Sequence, residues 1–144
     1  NLAASSGVCV EDLTGAYVDS QELDLILERL TRFWLDRYPA TDPEGYLFDF
    51  APRVLITDTH IGCVHTRFGE WPGDLSMCVG MWPGGGPTMF IESHPGGLHC
   101  TALVHELAHV LSAKFLGNAD SAHKRARTWE IVDRVRASFE GKCK

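Results

Sequence analysis

The sequence predicts an α+β domain: an N-terminal helix, a small and mostly antiparallel sheet, then two further helices. Three observations carry this. Residues 21–37 and 100–114 repeat apolar side chains at three- and four-residue steps, the period of a helix with one buried face. Between Thr41 and Ser93 that period gives way to short runs broken by Gly, Pro and Asp, the pattern of strands and turns. A chain of 144 residues with 44% hydrophobic content can fill one core and is too short for two ordinary ones, so residues 1–144 are expected to form a single domain.

Taken in order, Asn1 to Gly7 are small and polar and read as a loose lead-in. Ser20 has the character of an N-cap, and Gln21, Glu22 and Asp24 place negative and polar groups where the helix dipole favours them. Leu23, Ile26, Leu27, Leu30, Phe33 and Trp34 then mark a helix over Gln21 to Arg37, stopped by Pro39. Arg53 to Thr57, Gly62 to Arg67, Ser76 to Trp82 and Thr88 to Ser93 read as strands, separated by turns at 58–61, 69–74 and 83–87. A second helix runs from Cys100 to Lys114, with Leu103, Leu107, Val110 and Leu111 as its apolar stripe. Gly96 and Gly97 break the chain before it, and Gly117 with Asn118 stops it. The last helix runs from about His123 or Lys124 to Phe139 and buries Trp129, Val132, Val135 and Phe139.

Charge and cysteines narrow the class. A net charge of −6 argues against a nucleic-acid partner, which normally meets a basic face. Lys124, Arg125, Arg127, Arg134 and Arg136 are the only basic cluster and read as the solvated side of the last helix. No apolar run approaches the roughly 20 residues that cross a membrane as a helix, so a soluble protein, cytoplasmic or secreted, is expected. The chain opens at Asn1 without a methionine, which suggests a processed or trimmed product. Of the five cysteines none forms a C-x-x-C pair, which disfavours a cysteine-zinc site; Cys9 and Cys143, near the two ends, offer one bridge.

The chemistry concentrates in His105, Glu106 and His109, an H-E-x-x-H on the second helix. At 3.6 residues per turn the two histidines project to the same side and can share one metal ion, while Glu106 lies beside the first of them. Two neutral nitrogens suit Zn²⁺, which acidifies a bound water, and the neighbouring carboxylate can take its proton as general base. A catalytic zinc site normally has three protein ligands. His123 is the first choice for the third, because it follows a glycine turn that lets the chain double back. Asp120 in the same turn and Glu130 on the next helix are the alternatives. His60, His65, His94 and His99 read as surface or hydrogen-bonded residues, and Cys100 as a buried residue at the helix start. No residue stands out for stabilising a developing negative charge; Arg125 or Arg127 could serve, but each reads rather as solvated. Thr88 to Glu92, the strand just ahead of the metal helix, is a candidate edge for binding an extended peptide by strand addition.

The run H-E-L-A-H, with D-S-A-H at Asp120 to His123 and an aromatic at Trp129, resembles the SprT-like metalloprotease family of zincins. That resemblance implies a zincin-like fold, a histidine opening the helix after the motif, and a zinc endopeptidase acting on proteins or peptides. His105, His109 and His123 would be its ligands and Glu106 its base. A weaker likeness, G-N-A-D at Gly117 to Asp120, is similar to the G-T-x-D element of aspzincins, whose third ligand is the aspartate. The alternative from another class is a binding or regulatory module that keeps zinc without turnover.

Overall fold

A computed structural model describes residues 2–3, 8–12, 20–57, 80–81, 86–92 and 100–143. Strands β1 (Leu2–Ala3) and β2 (Cys9–Asp12) come first. Helices α1 (Ser20–Arg37) and α2 (Pro43–Phe50) follow, then β3 (Arg53–Thr57), β4 (Gly80–Met81) and β5 (Thr88–Glu92). Helices α3 (Cys100–Phe115) and α4 (Ala126–Ser138) complete the order. The α+β class holds, with the sheet ordered β1-β2-β3-β5-β4.

The expected mostly antiparallel sheet is corrected. Its centre is parallel, with β2 beside β3 and β3 beside β5, and among the described residues antiparallel pairing occurs only where β1 meets β2 and β4 meets β5. The reason is connectivity. α1 and α2 both lie between β2 and β3, a crossover long enough to return the chain in the same direction, whereas the short connections 4–8 and 82–87 only reverse it. Within the lead-in expected at 1–7, Leu2 and Ala3 form β1, and residues 1 and 4–7 lie outside the described residues. β5 is flanked by β3 and β4, so it is not the edge strand expected; β4, paired through Gly80 with Ile91 and Met81 with Phe90, lies outside it. The candidate strand at 62–67, the turns at 58–61 and 69–74, and most of the candidate strand at 76–82 lie outside the described residues.

Alternation along the strands turns Val10, Val54, Ile56, Met89 and Ile91 into the core. α1 supplies Leu23, Ile26, Leu27, Leu30 and the fully buried Trp34, whose indole N–H is satisfied by Thr41 Oγ1 at 3.0 Å. α1 ends at Arg37, two residues before Pro39, as the residue preceding a proline disfavours helix. α2 was not expected. Asp42 caps it by accepting from the Gly45 N–H at 3.0 Å, Pro43 occupies its first turn, and Leu47 is its buried anchor. A Cβ at Gly45 would overlap the Asp42 carboxylate, so the cap needs that glycine.

α3 is buried on nearly every side, not along the single stripe that its sequence suggested: Ala102, Leu103, Val104, Leu107, Ala108, Val110, Leu111 and Ser112 are all inside. It packs on the sheet at β4 and β5 and on α1 and α4. Each buried leucine contributes about 1.5–3 kcal/mol, so the helix carrying the motif is among the firmest elements of the molecule. Gly117, at φ 89°, ends it as the left-handed glycine expected there. Cys143 pairs with Cys100, not with Cys9: the Cys100–Cys143 disulfide joins the start of α3 to the chain beyond α4, and both cysteines are buried. The Thr101 hydroxyl adds a bond to the Cys143 carbonyl at 3.2 Å.

Candidate metal centre

His105 and His109 leave α3 one turn apart and meet with their Nε2 atoms 3.2 Å from one another. His123 closes the figure. Its Nε2 is 3.0 Å from that of His105 and 3.1 Å from that of His109. Tetrahedral bonds of about 2.0–2.1 Å from a divalent ion to imidazole hold the nitrogens roughly 3.3–3.4 Å apart, so the observed triangle fits such an ion closely. These three histidines are the group among the described residues whose ligand atoms lie together and could hold a metal ion.

The chain reaches this geometry through an unusual turn. His123 lies three residues ahead of α4, not at its opening as expected, and both Asp120 and His123 have φ 55°, in the left-handed region. The His123 N–H donates to the Asp120 carbonyl at 2.8 Å and closes the turn. Non-glycine residues in that region cost of order 1–3 kcal/mol and persist where their surroundings over-determine them.

The surroundings do so here. The Asp120 carboxylate accepts from the backbone N–H of Lys124 at 3.0 Å, from that of Arg125 at 2.8 Å and from the Trp129 indole at 2.8 Å. Desolvation would raise its pKa, but these hydrogen bonds and the Arg125 charge outweigh it and hold the carboxyl down at about 2. The Arg125 guanidinium donates to the carbonyls of Asn118 at 3.0 Å and Leu116 at 2.9 Å, so the chain leaving α3 is clamped from both ends. The Ala119 carbonyl, 2.6 Å from His109 Nδ1, takes the proton of that ring and leaves its Nε2 lone pair facing the other two imidazoles.

Burial first, then the neighbouring His109 and His123, drives the His105 pKa down to about 3. Burial also lowers that of His109, against the Ala119 and Asp120 interactions, and that of His123, against Asp120. All three rings are therefore neutral at pH 7, the form that binds metal. Glu106, one residue on from His105 and three before His109, is also buried, at 7% exposure.

Several sequence expectations are corrected. Neither Asp120 nor Glu130 belongs to the ligand group: Asp120 is committed to the turn, and exposed Glu130 pairs with Arg37 at 3.3 Å. Arg125 is engaged by Leu116 and Asn118, and Arg127 donates to the Arg37 carbonyl at 3.3 Å. Cys100 is buried at the start of α3, as expected, and is in addition a disulfide partner. His60, His65, His94 and His99 lie outside the described residues. The Ala119 carbonyl and the site role of Trp129, whose indole lies 4.7–4.8 Å from each imidazole between ring centroids, were missed. A backbone carbonyl leaves no trace in a sequence, whereas the Trp129 indole had a signal in its helical register with the ligand turn. Compared with protein-family models, with curated proteins and with solved structures, the chain matches none, so the meaning of the site rests on its own geometry.

Proposed function

We propose that the protein is a zinc-dependent endopeptidase of the H-E-x-x-H type, using His105, His109 and His123 as ligands and Glu106 as general base. The observation that carries this is the converging Nε2 triangle with a buried carboxylate one residue from its first member. Three protein ligands are the number a catalytic zinc site takes, and neutral imidazoles suit zinc. When bound, the ion supplies the acidification of a water and the polarisation of a carbonyl oxygen. Glu106 takes the proton from the attacking water and returns it to the departing amine, and its burial keeps bulk water from competing for that transfer. An extended substrate fits as an added strand along β4, the outermost strand on that side among the described residues and one that packs against α3. The substrates we expect are proteins or peptides of an oxidising compartment, because a buried disulfide such as Cys100–Cys143 persists there and is rare in the cytosol.

Glu106→Gln tests the base. It should retain zinc at the wild-type stoichiometry and lose about 10²–10⁴-fold in kcat on a peptide library. Undiminished cleavage by that variant would remove Glu106 from the mechanism, and no cleavage by the zinc-loaded wild type would favour a zinc-holding binding module.

A further inference from the structure

We infer that Trp129 is the positioning residue of the metal centre, the side chain that sets the third histidine against the first two before any ion arrives. The inference rests on the metal-site reading and not on the peptidase reading. His105 and His109 are fixed by the backbone of a buried helix. His123 has no such support: it is exposed, sits in a left-handed turn, and lies ahead of α4 rather than within it.

Trp129 bridges the two. Its ring centroid is 4.8 Å from that of His105, 4.7 Å from that of His109 and 4.7 Å from that of His123, so one indole packs against all three ligands at once. Its Nε1–H holds Asp120 Oδ2 at 2.8 Å, and the Asp120 carbonyl in turn accepts from the His123 N–H. The indole thus acts on His123 twice, by contact with the imidazole and by hydrogen bond to the turn carrying it. Its own position is set by α4, where the adjacent Thr128 is fully buried and bonded to the Tyr38 hydroxyl at 2.9 Å. A rigid platform on one helix therefore registers a loop ligand against another helix. Arranging ligands beforehand removes the ordering cost from the binding step, and loss of such outer partners typically lowers metal affinity 10–100-fold.

The test is a double-mutant cycle between Trp129 and His123, read as the zinc dissociation constant by competition with a chromophoric chelator, with thermal unfolding of the metal-free proteins as a folding control. Trp129→Leu should weaken zinc binding 10–100-fold when His123 is present and less than threefold in a His123→Ala background, because a platform acting through His123 has nothing left to place. Trp129→Phe keeps an aromatic face, drops the bond to Asp120, and should show the same dependence on His123 with a smaller loss. That variant decides the matter if Trp129→Leu does not fold. Affinity within threefold of wild type in the variant that folds, or an equal loss in both backgrounds, would overturn the inference. Wild-type protein that binds no zinc would overturn the metal centre itself, a result distinct from either.

Discussion

His105, His109 and His123 are three bases held close together and partly out of water, and the pH dependence of the metal-free protein should show it. As pH falls below 6.5, histidines of the unfolded chain take up protons while the native ring of His105, with its pKa near 3, does not. The unfolded state then binds more protons, so stability decreases from pH 6.5 downward and the His105 part of the loss levels off only near 3. Asp120, held at about 2 against an ordinary 3.8, contributes stability that is present above 3.8 and is lost as pH falls from there through about 2. Urea unfolding in the presence of a chelator at pH 7, 6, 5 and 4.5 should give a falling free energy, with a shallower slope in His105→Ala. A profile unchanged by that substitution would contradict the environment described for this ring. The two α3 ligands were legible because helical period alone aligns residues four apart. The choice of His123 over Asp120 was legible only as a preference. It depends on which side chain the turn consumes internally, and the N–H groups that occupy Asp120 come from Lys124, Arg125 and Trp129.

Among the elements, α1, α3 and α4 announced themselves because each repeats apolar residues over at least three turns. α2 did not, since its Pro and Gly read as turn punctuation. Asp42-Pro43 is nonetheless a helix-start signature, and Gly45 serves the cap. Strand direction was not legible at all: Cys9–Asp12, Arg53–Thr57 and Thr88–Glu92 carry no mark of parallel or antiparallel pairing, and the crossover through α1 and α2 accounts for β2 beside β3 alone. α2 also ends on a residue with a steric cost. Ala51 caps it at φ 49°, ψ 63°, donating to the Leu47 carbonyl, and a left-handed alanine costs about 1–2 kcal/mol. Ala51→Gly relieves that cost while adding about 0.4–1 kcal/mol of unfolded-state entropy, so a net gain of about 0.5–1 kcal/mol is expected. Chemical denaturation would show it as a higher midpoint with an unchanged slope, and a lower midpoint would contradict the assigned conformation.

In the molecule as a whole, the Cys100–Cys143 bridge spans a sequence separation of 43 residues and encloses His105, Glu106, His109, His123 and Trp129. Closing a loop of that size removes unfolded-state entropy worth about 4 kcal/mol. Reduction, or the paired substitution Cys100→Ser with Cys143→Ser, should lower the Tm by roughly 8–16 °C at 2–4 °C per kcal/mol. A shift of under 2 °C would mean that the bridge adds little to the fold. The same bridge bears on damage to the backbone. The connection 116–125 between α3 and α4 lies within the ring, and residues 121–124 are exposed, where a protease can reach them. Because sulfur joins the two ends beyond that connection, a single cut there separates no fragment: both pieces stay in one particle, with all three imidazoles still in it.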